Sequence, residues 1–128
     1  MMVAATAPHG GADTLFARYG GFAKIRSIVM DFYERVLDND LVGGHFDGID
    51  MVRLIDHQTK FIAALTGGPA DISDERLARA HRHLRVRHDE FDELVTLLSA
   101  TLEAAGFTPA DRAKVLGAIE ARRSLIVD

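Results

Sequence analysis

Apolar residues recur along most of this chain at the three- and four-residue intervals of an amphipathic helix. The clearest run predicts a helix over residues 22–37. Its inward face is formed by Ile25, Val29, Phe32 and Val36. A short apolar piece over residues 14–19 precedes it and ends at Gly20-Gly21. Alternating patterns joined by tight two-residue turns are missing from the sequence, which therefore predicts an all-α chain.

Two of the later helices carry clear start signals. Asp50 is placed to cap a helix that continues to about Thr66, where Gly67-Gly68-Pro69 ends it. Thr108-Pro109 combines a capping residue with Pro in the first helical turn, so it predicts the start of the last helix. The inward residues of that last helix are Val115, Ile119 and Ile126.

Between the helices that begin at Asp50 and Thr108, the pattern predicts two more. One is a short helix over residues 74–84, and the other is longer, beginning at Asp89 and ending before Gly106. The longer helix presents an inward face made of Phe91, Leu94, Leu98 and Leu102. No repeat or linker interrupts the series. We therefore expect one globular domain over residues 13–128, preceded by a flexible tail over residues 1–12.

The amino-acid composition excludes several classes of site and of binding partner. The chain has 128 residues and no cysteine, so disulfides, thiolate catalysis and cysteine-based zinc or iron–sulfur sites are excluded. A net charge of -4 argues against nucleic-acid binding, which normally needs a basic surface. No apolar run is long enough for a membrane span, and residues 1–11 do not have the pattern of a secretion signal. We therefore expect a cytoplasmic protein.

Histidine is the first candidate for metal chemistry. A zinc site on a helix needs two ligands on one face, whereas His81 and His83 are two residues apart and point to different faces. His81 has apolar neighbours along the predicted helix, namely Leu77, Ala78 and Leu84. One neutral imidazole in such a setting is enough to bind haem iron. The alternative that the pattern leaves open is a structural histidine with satisfied hydrogen bonds.

Two polar residues lie at or beside apolar helix faces. Gln58 is in line with Leu54 and Phe61, and burial of an amide without a partner costs about 1–3 kcal/mol. Tyr33 lies beside the apolar face of the helix over residues 22–37. Each has an ordinary explanation, since a tyrosine often packs its ring with the hydroxyl in water and a glutamine is often exposed. A ligand that hydrogen bonds to both is the alternative.

Several short motifs in a fixed order make the chain resemble the truncated haemoglobins, and specifically group I, over residues 14–126. The motifs are Tyr19-Gly20-Gly21, Asp31-Phe32-Tyr33-Glu34-Arg35-Val36-Leu37, Phe46-Asp47-Gly48, His57-Gln58, Gly67-Gly68-Pro69, and Ala80-His81 followed ten residues later by Phe91. Each motif alone is a weak signal. Their order and spacing together are specific.

The resemblance implies a truncated globin fold, a two-over-two helical sandwich around haem b. It makes His81 the proximal iron ligand and places Phe46 against the haem plane. Tyr33 would be the main hydrogen-bond donor to the bound gas, with Gln58 assisting. The other residues implied at the cofactor site are Leu54, His57, Phe61 and Leu77.

The resemblance also leaves points open. The haem propionates would be held by basic residues among Lys60, Arg79 and Arg82. His57 is either a solvated imidazole near the haem edge or, as in some members, a sixth ligand of the iron. The chain departs from many members at His45, where they carry an aromatic residue, and at Ile72-Ser73-Asp74, where they carry Tyr-Thr-Gly.

The expected function is reversible oxygen binding and transport by a haem protein that also takes up nitric oxide and carbon monoxide, as a monomer or weak homodimer. Oxidation of nitric oxide to nitrate would need an external reductase, because the sequence has no flavin or nicotinamide fingerprint. Two other classes stay open. One is a haem-based gas or redox sensor that acts through a separate partner protein, and the other is a cofactor-free helical interaction module.

Overall fold

A computed structural model of the protein describes residues 14–70, 73–82 and 85–127, without the side chains at positions 76, 80 and 82. The predicted tail over residues 1–12 lies outside the described residues, as do Ile72, His83 and Leu84. The described helices are α1 (Leu15–Arg18), α2 (Gly21–Leu37), a 3₁₀ helix (Gly43–Phe46), α3 (Met51–Leu65), α4 (Asp74–Arg82), α5 (His88–Ala104), α6 (Pro109–Glu120) and α7 (Arg123–Ile126). Within these ranges, no helix is both long and apolar enough to cross a membrane.

Side-chain caps fix the starts of α3 and α6. The Asp50 carboxylate accepts a hydrogen bond from the Arg53 backbone N–H at 3.2 Å, and the Thr108 hydroxyl accepts one from the Asp111 backbone N–H at 3.2 Å. Each bond satisfies a donor that has no partner inside the helix. Pro109 occupies the first turn of α6, where its missing N–H costs nothing. The starts predicted at Asp50 and Thr108 are confirmed.

The long helices form two packed pairs. α2 packs on α3, α5 packs on α6, and α2 also contacts α5, which joins the two pairs. This is the two-over-two arrangement predicted from the sequence, and the prediction is confirmed. α4 belongs to neither pair and packs on α7. One hydrophobic core joins the helices, and its largest completely buried apolar side chains are Phe91, Ile25, Leu102, Val36, Val42 and Val115.

α1 packs directly on the C-terminal end of α3. The Phe16 backbone N–H donates to the Thr66 carbonyl oxygen at 2.9 Å. A Cβ atom added at Gly68 would lie 2.5 Å from Cδ1 of the Phe16 ring, well inside any tolerated contact. Gly67 has a φ of +90°, which side chains rarely adopt. The Gly-Gly pair therefore serves two needs at once, a left-handed helix end and a bare surface for the Phe16 ring.

The C-terminal part of the chain differs from the sequence expectation. A single last helix was predicted to carry both Ile119 and Ile126, whereas Ile126 lies in the separate helix α7. The chain turns at Arg122, whose φ of -109° is not helical and whose backbone N–H bonds to the Ile119 carbonyl three residues back. Val127 then forms an isolated parallel bridge with Val86. The break therefore brings the end of the described chain against the segment between α4 and α5.

Candidate functional site

An apolar cavity lies among the helices. The empty space of the cavity and of the open solvent at its mouth together amounts to about 830 Å³. Its apolar walls are formed by Ile28, Val29, Phe32, Phe46, Leu54, Phe61, Ile62, Val86, Phe91, Leu94, Val95, Leu98, Ile119 and Ile126. Only three polar side chains among the described residues join them, those of Tyr33, Gln58 and His81.

α4 places the His81 imidazole in the cavity wall. The ring Nδ1 lies 2.9 Å from the Leu77 carbonyl oxygen, one helical turn earlier. A carbonyl oxygen only accepts hydrogen bonds, so Nδ1 carries a proton and donates, and in the neutral imidazole Nε2 is then the nitrogen with the lone pair. This is the tautomer and the supporting bond that metal-binding histidines typically have. This hydrogen bond fixes the orientation of the His81 ring.

α2 contributes Tyr33, whose side chain is almost completely buried, with 6% exposed. Its ring packs edge-on against Phe32 at 4.9 Å and Phe46 at 5.6 Å between centroids. Its hydroxyl makes no hydrogen bond to any residue in the described ranges. Burial raises the pKa of Tyr33 above its ordinary value of 10.0, so the phenol stays neutral at physiological pH. A ligand in the cavity that Tyr33 lines would accept this hydrogen bond.

α3 contributes Leu54, Gln58 and Phe61, which lie on one face one turn apart. Gln58 is half-buried, and its amide likewise has no hydrogen-bond partner in the described part of the chain. The 3₁₀ helix contributes Phe46. Six of the residues predicted from the sequence therefore line one cavity, namely Tyr33, Phe46, Leu54, Gln58, Phe61 and His81.

Two predicted cofactor residues do not line this cavity. His57 is exposed, because it lies on the solvent side of α3 next to the inward Gln58. Leu77 is buried in the hydrophobic core, and its contribution to the site is the carbonyl oxygen that orients His81. The sequence pattern places both residues on the correct helices but does not resolve which face each one occupies.

The basic residues predicted to hold propionates are exposed and already paired where they are described. Lys60 lies 3.3 Å from the Asp56 carboxylate, and Arg79 lies 2.7 Å from the Glu75 carboxylate. Each pair spans one turn of its own helix. The Arg82 side chain lies outside the described residues. The choice among the three stays open.

His45, where the chain departs from the resemblance, has a polar partner in α5. Its imidazole Nε2 contacts the Glu90 carboxylate, which is buried and also accepts the Arg87 backbone N–H at 2.9 Å. Burial alone would raise the pKa of Glu90, but the hydrogen bonds from Arg87 and His45 outweigh it and hold that pKa below its usual value. His45 thus ties the 3₁₀ helix that carries Phe46 to the start of α5.

Sequence reasoning missed four residues of the wall: Ile28, Ile62, Val86 and Val95. Three of them directly adjoin a residue that the periodic pattern did assign to an inward face. A cavity touches a wider strip of each helix than a single row of residues, and a wider apolar arc would have found these three. Val86 lies between helices, where periodicity gives no signal.

These features fit a haem. The cavity is apolar, and one imidazole lies in its wall with its Nδ1 held by a backbone carbonyl oxygen, as in metal-binding histidines. A buried phenol and an amide in the same cavity have no protein partner in the described residues. A cofactor that brings a small polar ligand would satisfy these donors.

Comparison with known proteins gives the family. The Bacterial-like globin family model matches residues 14–127, almost the whole chain. A group 1 truncated haemoglobin from Tetrahymena thermophila is 32% identical over 93 residues, which cover 73% of this chain and 77% of that protein. The chain belongs to the group I truncated haemoglobins. The resemblance drawn from its motifs is thereby confirmed.

Other truncated haemoglobins are similar over more of their length. One from Synechocystis is 31% identical over 121 residues, which cover 89% of this chain and 98% of the relative. The crystal structure of the truncated haemoglobin from Tetrahymena pyriformis superposes with a TM-score of 0.81 at 29% identity, over 90% of this chain and 98% of that one. The two-over-two truncated globin fold thus agrees with the packing of α2, α3, α5 and α6 described above.

Proposed function

We propose that the protein binds haem b in the cavity and, through it, binds oxygen and other diatomic gases reversibly. The observation that carries this proposal is the coexistence of two features in one apolar cavity: an imidazole with an oriented ring at His81, and the buried side chain of Tyr33, whose hydroxyl has no partner among the described residues. Neither feature is explained by packing alone. Both are explained by a cofactor with one ligand from the protein and one from solution.

When bound, a haem supplies an iron that holds a small gas and gives it partial negative charge. The chain's own groups then have distinct roles. His81 holds the cofactor through Nε2, with its orientation set by the Leu77 carbonyl oxygen. Tyr33 donates a hydrogen bond to the gas, and Gln58 donates a second one or orients Tyr33. These bonds are stronger in the apolar cavity than they would be in water.

Family membership supports the cofactor. The relative from Tetrahymena pyriformis has been solved in an Fe(III) form. The present chain contains no cysteine, so thioether attachment of haem is excluded. We propose haem b, which His81 and the apolar walls of the cavity would hold. We expect it to work in the cytoplasm as a monomer or weak homodimer.

The same cavity suits nitric oxide and carbon monoxide. Conversion of nitric oxide and oxygen to nitrate takes up one electron (NO + O₂ + e⁻ → NO₃⁻), so it would require an external reductase. The sequence carries no flavin or nicotinamide fingerprint that would supply this electron internally. A sensor role would require a partner protein that reads the ligand state of the haem.

The test of the proposed function is the visible spectrum of the purified chain and of its His81→Ala variant. We expect the parent to show a haem Soret band, and His81→Ala to lose haem or to give an altered spectrum that added imidazole restores. His57→Ala is the matched control, because His57 is exposed and lies outside the cavity wall. A parent without haem that also fails to take up added haem would rule out the proposal. An unchanged spectrum in His81→Ala would rule out the assigned ligand.

A further inference from the structure

α7 has only four residues, yet it contacts the His81 side of the cavity in three ways. Ile126 lines the cavity directly. Val127, which follows the helix, bridges to Val86, another cavity residue. α7 as a whole packs on α4, the helix that carries His81. The position of α7 is therefore linked to the wall around the proximal ligand.

Arg123, the first residue of α7, contacts Phe91, another residue of the cavity wall. Its guanidinium carbon lies 4.4 Å from the centre of the Phe91 ring. Phe91 is 2% exposed and lines the cavity. The cation therefore covers an aromatic ring that itself borders the site, a favourable and geometrically specific contact.

The guanidinium is also held in place by polar partners on two helices. It donates to the carboxylates of Asp92 on α5 and Glu120 on α6. A further N–H lies 3.1 Å from Nδ1 of His88 at the start of α5. The planar fork of an arginine can serve these acceptors at once, which the single ammonium of a lysine cannot do. Arg123 therefore joins α5, α6 and α7 at the back of the Phe91 ring.

We propose that Arg123 is a positioning residue of the haem site, which acts through Phe91 and α7 to hold the proximal wall against the cofactor. This inference rests on the proposed function. Arg123 does not line the cavity, so it does not touch the haem. Its effect is on how firmly His81 and its surroundings retain the haem, and not on the hydrogen bonds that Tyr33 and Gln58 give to a bound gas.

The test compares Arg123→Leu with Arg112→Leu. The control removes the same charge from α6, where Arg112 donates to the Phe107 carbonyl oxygen at 2.8 Å, away from Phe91 and α7. We expect haem loss to an acceptor globin to be about tenfold faster in Arg123→Leu, the size of effect expected for a lost cation–π contact with its hydrogen bonds. The iron–histidine stretching band should shift, while oxygen release stays unchanged. An equal effect in both variants, or none in Arg123→Leu, would overturn the proposal.

Two further comparisons sharpen the test. Arg123→Lys keeps a cation beside Phe91 but loses the planar fork, so we expect its haem loss to be slower than that of Arg123→Leu. Haem loss as fast as in Arg123→Leu would overturn the role of the cation over Phe91. In the Phe91→Leu background, Arg123→Leu should have a much smaller effect on the free energy of unfolding of the full chain as purified. Strictly additive effects would overturn the link through Phe91. The contact between Arg123 and Phe91 is measured by unfolding whether or not haem is bound, so its outcome is separate from that of the proposed function.

Discussion

The two tyrosines of this chain occupy opposite environments. Tyr19 stacks on Phe107 with ring centroids 3.7 Å apart, and its hydroxyl donates to the Asp111 carboxylate at 2.6 Å while accepting the Thr108 backbone N–H. Tyr33 is buried beside the cavity, and its hydroxyl has no partner among the described residues. One phenol completes a network that joins α1 to the start of α6. The Tyr33 phenol lines an apolar cavity and has no such network.

The hydrogen bonding of the two hydroxyls indicates a structural role for Tyr19 and a role at the cavity for Tyr33. The hydrogen bond from Tyr19, more than any other contact, lowers the pKa of Asp111 and keeps this buried carboxylate charged. The Tyr19 hydroxyl is therefore accounted for by folding. The Tyr33 hydroxyl is not, because no residue in the described ranges accepts its hydrogen bond. A substitution that removes only the hydroxyl should therefore have different consequences at the two positions.

The largest effect is expected for Tyr33→Phe on oxygen release. A hydrogen bond to a partly charged ligand contributes about 1.5–3 kcal/mol, so its loss should speed oxygen dissociation about tenfold or more. Carbon monoxide carries less charge and should respond less. Stopped-flow measurement of both gases checks the prediction, and Gln58→Leu should show a smaller version of the same asymmetry. Equal effects of Tyr33→Phe on the two gases would mean that the side chain acts by packing only.

Tyr19→Phe should show the reverse. The variant keeps the stacked ring but removes the bond to Asp111, so we expect the midpoint of thermal unfolding to fall by about 5 °C. Oxygen release should stay at the parental rate, because Tyr19 does not line the cavity. Calorimetry of the two Tyr→Phe variants side by side gives the comparison. A stability loss in Tyr33→Phe as large as that in Tyr19→Phe would remove the distinction between the two residues.

A smaller effect should appear at alkaline pH in the haem-free chain. The folded pKa of Tyr33 is raised above the ordinary value of 10.0, so the folded state keeps its proton where the unfolded state loses it. The contribution of Tyr33 to stability is thus complete below pH 10.0 and falls as the pH rises beyond it, by up to about 1 kcal/mol within the first pH unit. Urea unfolding should show a shallower alkaline decline in Tyr33→Phe. Parallel curves for parent and variant would contradict the burial of this phenol.

No effect is expected for His57→Ala on the deoxy ferrous spectrum at neutral pH. His57 is exposed on α3 and does not reach the cavity lined by its neighbour Gln58. We therefore predict a five-coordinate parent and an identical variant. Sharp low-spin bands in the parent that disappear in His57→Ala would instead support the hypothesis that this residue binds the iron as a sixth ligand.

Local signals in the sequence predicted most of the fold. The caps at Asp50 and Thr108 are chemical features of single residues, and the observed helices begin there. The 3₁₀ helix over Gly43–Phe46 and the break before α7 were not predicted. Both depend on contacts between distant segments, such as the bridge that joins Val86 to Val127, and helical periodicity does not report such contacts.

The candidate site shows the same limit. Motif order placed Tyr33, Gln58 and His81 on three helices, and the fold brings them to one cavity. The partnership of His45 with Glu90 and that of Arg123 with Phe91 could not be predicted. In each case the partners lie more than thirty residues apart in the sequence. The sequence around a histidine or an arginine does not indicate which distant residue its side chain will contact in the fold.

The contact between Phe16 and Gly68 constrains how this sequence can change over evolutionary time. A methyl group at position 68 is incompatible with the ring at position 16, so the two sites cannot vary independently. A lineage that acquires alanine at 68 while Phe16 remains should pass through a destabilised intermediate. The same alanine should be harmless after Phe16 has been replaced by a smaller residue. The order of the two substitutions therefore decides whether the intermediate sequence is stable. Phe16 in α1 thus restricts position 68 to glycine, although the two positions lie more than fifty residues apart in the chain.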